Sequence, residues 1–219
     1  MKIQSKFLAV LCLVFVFALA CAAQTAAAPA PSPAPAAALS AADREAALSS
    51  LQATHDAFLK SIAGLSEKQW RFKPAPDRWS VAEVSEHIAV SESMIFGFVQ
   101  GKVMAGPAEP EKRAEVKVTD QQILMMVPDR SHKAQAPEFL KPTNRFATEA
   151  ELVKSFEDSR KATMDYVRTS NDDLRDHFGP HPMLGTLDAY QWILLISAHS
   201  ERHTKQIEEV KADANFPKE

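Results

Sequence analysis

The sequence predicts an all-α protein that folds as a four-helix bundle. Four segments carry apolar residues at alternating steps of three and four, the spacing that keeps side chains on one helix face. Each of these segments begins at a residue typical of a helix N-cap. Only 6 glycines occur among 219 residues, which suits a helical chain better than a turn-rich β protein. Hydrophobic residues make up 46% of the chain, enough for a sizeable core.

The N-terminal residues 1–20 have the pattern of a secretory signal peptide. Two lysines precede an apolar run from Phe7 to Leu19, and Ala18 and Ala20 place small residues before a cleavage point. The run is short for a helix that spans a bilayer. We therefore predict export to the periplasm or the extracellular space. A retained N-terminal anchor helix is the alternative.

Cys21 directly follows the predicted cleavage point and resembles the lipidated cysteine of a bacterial lipoprotein. Such sites usually carry leucine three residues before the cysteine, whereas Leu19 lies two residues before it. Simple cleavage and a lipid anchor at Cys21 therefore both stay open. Residues 21–39 are rich in alanine and proline and predict an extended linker, which places the folded domain at residues 40–214. No cysteine follows position 21, which excludes a cysteine nucleophile in that domain.

The first two helices have well-defined starts. The first begins at Ser40, with Asp43 in its first turn. Its buried stripe is predicted to be Leu48, Leu51, His55, Phe58, Ile62 and Leu65. The second begins at Ser80, where Glu83 completes a capping box whose two side chains satisfy free backbone amides reciprocally. Its stripe is Val81, Val84, Ile88, Ser91, Ile95 and Phe98. His87 lies beside this second stripe.

The third and fourth helices follow a long connection. The third begins at Thr148 with Glu151 three residues later, and Arg160 falls near its apolar face, where the guanidinium either reaches solvent or pairs with a carboxylate. The fourth is predicted to begin at Thr186, with Asp188 favourable near the positive end of the helix dipole. Residues 102–147 form the connection, with a short helix predicted within it at Gln121–Met126. A connection this long allows an up-down-down-up bundle, because the chain must cross the length of the bundle.

Three histidines form a candidate metal site. His199 and His203 are four residues apart on the inward stripe of the fourth helix, so their imidazoles lie one turn apart on one face. In the expected topology, His87 lies at the same end of the bundle. Three neutral imidazoles with open water positions are a usual catalytic zinc arrangement and also suit nickel or iron. The alternative is a set of hydrogen-bonded core histidines that bind no metal.

His55 is the candidate catalytic residue. It lies on the stripe of the first helix at a height similar to that of the other three, where it could act as a general base or as a fourth ligand. Packing in the core or along a pocket is the simpler interpretation of this residue. The remaining histidines, His132, His177 and His181, fall in predicted loops and have no argued role.

Two stretches of this sequence share residues with a known family. They run from Trp79 to Ile88, with the pattern W-S-x-x-E-x-x-x-H, and from His199 to Ile207, with the pattern H-x-x-R-H. Together they resemble the DinB-like superfamily of metal-binding four-helix bundles, over roughly residues 41–213. The resemblance implies an up-down-down-up bundle and a metal triad that maps onto His87, His199 and His203.

The resemblance also implies classes of activity. Some members of the superfamily are thiol S-transferases or isomerases that use low-molecular-weight thiols. Such thiols are scarce outside the cytoplasm, so the predicted export favours hydrolysis over thiol transfer. The leading hypothesis is a metal-dependent enzyme, hydrolase- or transferase-like, that uses a divalent zinc, nickel or iron ion. The alternative is a non-catalytic exported helical module that binds a metal or another ligand.

The expected partners are few. The formal charge of −3 and the pI of about 6.2 give no electrostatic argument for binding to nucleic acid. We expect a small-molecule substrate whose class the sequence does not specify. Contact with a membrane would occur only through a lipidated Cys21, and a homodimer is left open.

Overall fold

The computed structural model describes residues 38–132 and 134–218, which form a four-helix bundle with a small two-stranded sheet. The predicted signal peptide and all but the last two residues of the predicted linker lie outside the described residues. None of the helices in the described ranges is long and apolar enough to cross a membrane.

The described residues contain six α-helices, one β-hairpin, a π-helix at Val99–Val103 that continues the second long helix, and 3₁₀ helices at Pro110–Glu115 and Glu138–Leu140. The four long helices are α1 (Ala41–Ile62), α3 (Val81–Phe98), α5 (Glu149–Thr169) and α6 (Ala189–Lys211). Two short helices, α2 (Glu67–Arg71) and α4 (Asp120–Met126), lie in the connections. The strands are β1 (Phe178–His181) and β2 (Gly185–Asp188). The short helix predicted at Gln121–Met126 is therefore confirmed as α4, whereas α2 and the hairpin are additions.

The predicted helix starts are correct for three of the four long helices. The Ser80 hydroxyl accepts a hydrogen bond from the Glu83 amide, and the Glu83 carboxylate accepts one from the Ser80 amide, as a capping box requires. The fourth start was wrong: α6 begins at Ala189 with Asp188 as its N-cap, because Thr186 pairs with Pro180 in the hairpin. Asp188 forms its capping box with Gln191.

The hairpin packs tightly against α6 and the end of α3. Gly185 adopts a φ of +77°, a left-handed conformation that glycine takes without steric cost, and it opens β2 after the turn. Gly179 in β1 lies so close to its neighbours that a Cβ there would stand 2.8 Å from Val103 Cγ2 and 3.1 Å from Trp192 Nε1. The absence of a side chain at Gly179 is therefore what allows the hairpin to reach the bundle.

We expect Gly179→Ala to lower the free energy of unfolding by about 1–3 kcal/mol, because the added methyl overpacks a rigid contact. Urea denaturation of the variant and the wild type measures this difference. The matched control is Gly97→Ala in α3, where an added Cβ meets no atom within 4 Å. That change should stabilise the helix by up to about 1 kcal/mol through its higher helix propensity. Equal effects of the two substitutions would contradict the close packing of the hairpin.

The bundle has up-down-down-up topology. The helix α1 packs against α5 and α6, and α3 packs against the same two helices. One apolar cluster joins the end of α1, the starts of α3 and α5, and the end of α6, so α1 and α6 run opposite to α3 and α5. Its buried members include Phe58, Ile62, Val84, Ile88, Leu152, Phe156, Ile207 and Val210. This arrangement brings the first turns of α3 beside the second half of α6.

Candidate metal centre

Three histidine side chains converge between α3 and α6. His87, His199 and His203 each offer a ring nitrogen, and these nitrogens lie within 4.8 Å of one another. The Nε2 atoms of His87 and His199 are 3.3 Å apart. The ring centroids of His87 and His203 are 4.4 Å apart, as are those of His199 and His203. The predicted convergence of these three residues is therefore present in the folded domain.

The local structure explains why the rings meet. His199 and His203 are one turn apart on α6, and both face α3. His87 lies in the second turn of α3 and is buried. Because α3 runs antiparallel to α6, the first part of α3 and the later part of α6 share one level of the bundle. The indole of Trp79, 5.1 Å from the His87 ring, supplies an aromatic wall beside the site.

Hydrogen bonds fix the orientation of two of the rings. His87 Nδ1 lies 2.9 Å from the Leu140 carbonyl oxygen, an acceptor, so Nδ1 carries the proton and Nε2 is left with a lone pair. His203 Nδ1 lies 2.8 Å from Gln206 Oε1, and Arg130 Nη1 also donates to that oxygen at 3.3 Å. Both rings are thereby held in the tautomer that leaves Nε2 free to bind a cation.

Burial keeps the imidazoles neutral. Desolvation lowers the pKa of His87, and it lowers the pKa of His203 to about 3. For His199, burial and the neighbouring His203 and His87 together hold the pKa well below its ordinary value. Neutral imidazole is the form that ligates a metal ion. At neutral pH the three rings are therefore ready to act as ligands without prior loss of a proton.

The composition of the group fits a divalent ion with open coordination positions. Within residues 38–132 and 134–218, the group contains three imidazoles and no carboxylate or thiolate. Catalytic zinc sites usually have three protein ligands and leave the fourth position for water or substrate. Imidazole donors also suit nickel and iron. The residues present thus match the ion that the sequence predicts.

Two arginines fasten the connection between α3 and α5 onto α6 near the site. Arg202 donates to the carbonyls of Val127, Asp129 and His132. Arg130 donates to the Glu209 carboxylate and to Gln206 Oε1. Since Gln206 also accepts from His203, the connection contacts the partner of one candidate ligand directly.

His55 is not brought into this group. Its Nδ1 lies 2.8 Å from Asp56 Oδ1, and its ring stacks on Phe156 with centroids 5.6 Å apart. Its candidate role as a general base or a fourth ligand stays a prediction from the sequence. The stacking on Phe156 agrees with the simpler interpretation, in which His55 lines the core.

Three features near the site were missed by sequence reasoning. His181, expected in a loop, lies in β1 with its ring 5.3 Å from that of Trp192, and burial lowers its pKa. Its Nδ1 accepts hydrogen bonds from the amides of Met183 and Leu184. The hydrogen bond from His203 to Gln206 could have been found from their spacing of three on one helix face. No sequence pattern could have predicted the hydrogen bond from His87 to the Leu140 carbonyl, because every residue has a backbone carbonyl.

Comparison with known proteins gives a family and a curated relative. Residues 50–207 match the DinB superfamily. YuaE of Bacillus subtilis (strain 168), an uncharacterized protein, is 25% identical over 150 residues, which cover 68% of this chain and 88% of YuaE.

Solved structures share the fold. YfiT from Bacillus subtilis, described as a probable metal-dependent hydrolase with an unusual four-helix bundle topology, superposes with a TM-score of 0.54 at 13% identity. The match covers 82% of this chain and 91% of YfiT. TT2238, a four-helix bundle protein, gives a TM-score of 0.48 at 16% identity over 76% of this chain and 98% of its own.

Proposed function

This chain belongs to the DinB superfamily, and we propose that it is a divalent-metal-dependent hydrolase whose ion is held by His87, His199 and His203. The observation that carries the proposal is the convergence of three neutral imidazoles, one buried and two half-buried, with no other protein ligand among the described residues. The description of YfiT as a probable metal-dependent hydrolase supports the same class of reaction.

The chain's own residues would prepare the site. The Leu140 carbonyl and Gln206 orient two of the rings, and the Trp79 indole packs beside the His87 ring. When bound, a divalent ion supplies Lewis acidity that activates water and polarises the bond to be cleaved. Hydrolysis is favoured over thiol transfer because the predicted signal peptide would remove the protein from the cytosolic thiol pool.

The second candidate is a non-catalytic module that binds a metal or another ligand. The coordination number separates the two functions, since a structural site is closed by a fourth protein ligand whereas a catalytic site keeps an open position. The three-histidine group favours the enzyme. Turnover of chromogenic esters or phosphoesters by the zinc-loaded protein, lost on chelation and restored by zinc, would identify the enzyme. Inertness toward both classes would favour the module.

The cellular setting is proposed from the sequence. We propose export, with cleavage after residue 20 or a lipid anchor at Cys21, and a small-molecule substrate. Nucleic acid is not proposed as a partner, because the formal charge is −3.

The direct test is His199→Ala. We expect the wild type to retain about one divalent ion per chain when purified without a histidine tag, and the variant to lose it. The loss of zinc affinity should exceed the roughly 10–100-fold cost of removing an outer partner of a ligand, because His199 supplies a ligand atom itself. Elemental analysis and zinc titration measure both quantities.

The matched control is His132→Ala, which removes an exposed imidazole and leaves the backbone carbonyl that accepts from Arg202. This variant should bind zinc as the wild type does. Equal metal content in the wild type and His199→Ala would overturn the proposed site.

A further inference from the structure

The buried carboxylate of Glu86 directly precedes the candidate ligand His87 in sequence and contacts the connection between α3 and α5. Glu86 is only 5% exposed, and it is not part of the histidine group. One of its oxygens accepts a hydrogen bond from the Thr143 amide at 2.7 Å, and the other accepts one from the Arg145 amide at 3.3 Å. A buried carboxylate is costly unless its oxygens are satisfied. Here the backbone amides of the α3–α5 connection satisfy it, and the Arg145 guanidinium also pairs with it, with Nε 3.7 Å from one carboxylate oxygen.

The backbone at Asn144 is shaped to make these two contacts. Asn144 has a φ of +57°, and it is the one non-glycine residue with a positive φ in the described ranges. Asparagine tolerates this left-handed conformation better than most residues do. The conformation lets the amides on both sides of Asn144 point toward the same carboxylate. The turn Thr143–Arg145 is therefore a small cradle for the Glu86 side chain.

The cradle is tied to the segment that contacts His87. Arg145 Nη2 donates to the Phe139 carbonyl at 2.7 Å, and Arg145 Nε donates to Thr143 Oγ1 at 3.2 Å. These bonds close residues 139–145 into a compact loop. The carbonyl of Leu140, next to Phe139, is the group that accepts from His87 Nδ1. Glu86 and His87 are consecutive on α3, so one turn of this helix makes hydrogen bonds to the same loop at two points, Thr143 and Leu140.

We propose that Glu86 is a positioning residue for the metal ligand His87. The carboxylate holds the loop so that the Leu140 carbonyl stays in place to accept from Nδ1 and to keep Nε2 directed at His199 and His203. This inference rests on the proposed function, because it assumes that His87 binds the metal ion. Glu86 would act on His87 indirectly, through the position of the Leu140 carbonyl.

The energetic reason is the entropy of the loop. An isolated surface segment regains backbone freedom when its anchor is lost. The Leu140 carbonyl would then leave His87, and the ring could rotate or take the other tautomer. Outer partners of ligating histidines are typically worth 10–100-fold in metal affinity. An indirect anchor such as Glu86 should fall within that range.

Glu86→Gln tests the carboxylate in the full chain. Glutamine keeps the size of the side chain, but in either orientation its amide nitrogen would face the backbone amide of Thr143 or of Arg145, and two donors cannot bond to each other. We expect zinc affinity to fall about 10–100-fold. The Co²⁺-loaded variant should show a changed visible absorption spectrum, which reports ligand geometry rather than overall stability. The matched control is Glu138→Gln in the same connection, where the carboxylate is exposed and pairs with Lys141. That variant should match the wild type in both measurements.

A second pair of variants tests the cradle and does not depend on Glu86→Gln folding. Asn144→Gly retains the left-handed turn and should keep wild-type affinity, whereas Asn144→Val disfavours that turn and should weaken zinc binding about 10-fold. Thermal melts of all four variants establish that each is folded during titration.

The results of these experiments distinguish a failure of the proposed metal site from a failure of the positioning role of Glu86. If His199→Ala binds zinc as tightly as the wild type, the proposed metal site fails. If His199→Ala loses zinc while Glu86→Gln matches Glu138→Gln in affinity and Co²⁺ spectrum, the site stands and the positioning role of Glu86 is overturned. Equal affinities of Asn144→Val and Asn144→Gly would likewise overturn it.

Discussion

Replacing Arg160 with methionine is expected to lower the free energy of unfolding by about 3–5 kcal/mol, the usual cost of leaving one partner of a buried ion pair uncompensated. The Arg160 guanidinium and the Glu92 carboxylate are both about 1% exposed and pair through two contacts. The guanidinium also donates to the Leu51 carbonyl, to Thr54 Oγ1 and to Ser200 Oγ. From α5, this one side chain bonds to α1, α3 and α6.

Urea denaturation of Arg160→Met beside Lys161→Met measures the effect. Lys161 is the matched control, because it pairs with Asp165 on the surface and its side chain is 75% exposed. Its loss should change the free energy of unfolding by no more than about 0.5 kcal/mol. The double variant Arg160→Met/Glu92→Leu should recover much of the loss, because it leaves no buried charge behind. A double variant as unstable as Arg160→Met would show that packing, not charge, is what the single change removes.

The placement of Arg160 shows where sequence periodicity is informative and where it stops. Periodicity puts Arg160 near the apolar face of its helix and leaves two outcomes, a guanidinium that reaches solvent or one that pairs with a carboxylate. The structure gives the second outcome, with Glu92 of α3 as the partner. The choice could not be made from the sequence, because it depends on which helices are neighbours across the bundle.

The helices and the histidine triad are predictable for local reasons. Capping residues such as Ser80 and Thr148 act within one turn, and their positions locate helix starts to within a residue. The pair His199 and His203 follows from helical spacing alone. The hairpin was not predictable in this way, because Gly179 is chosen by its contact with the side chains of α3 and α6.

The groups that orient the three histidines could not be predicted from the sequence, for a different reason. The partner of His87 is a backbone carbonyl in a long connection, and every residue type has one. We propose that its location depends on Glu86, whose carboxylate accepts from the amides of Thr143 and Arg145, residues more than fifty positions further along the chain. Helical periodicity predicts the metal-facing side chains, whereas the groups that orient them come from loop geometry.

Lowering the pH from about 6.5 toward 5 is expected to destabilise the metal-free protein through the three histidines of the candidate metal site. In the folded protein their pKa values lie below the ordinary value of 6.5, mainly because burial disfavours the charged form. Once the pH falls below 6.5, the unfolded chain binds protons that the folded chain does not. The stabilising contribution is therefore complete above about pH 6.5 and is lost as the pH falls, toward about 3 for His203.

The expected size follows from the number of protons. Each proton taken up only by the unfolded chain contributes about 1.4 kcal/mol per pH unit, so three histidines give a limit of about 4 kcal/mol per unit. Urea denaturation of the zinc-free protein at several pH values between 6.5 and 5 measures this slope. His199→Ala should reduce the slope by up to about 1.4 kcal/mol per unit, because it removes one of these three protons from the unfolded chain. If His199→Ala gave the same slope as the wild type, the imidazole of His199 would not be held neutral by the fold, and its readiness to bind a cation at neutral pH would need another explanation.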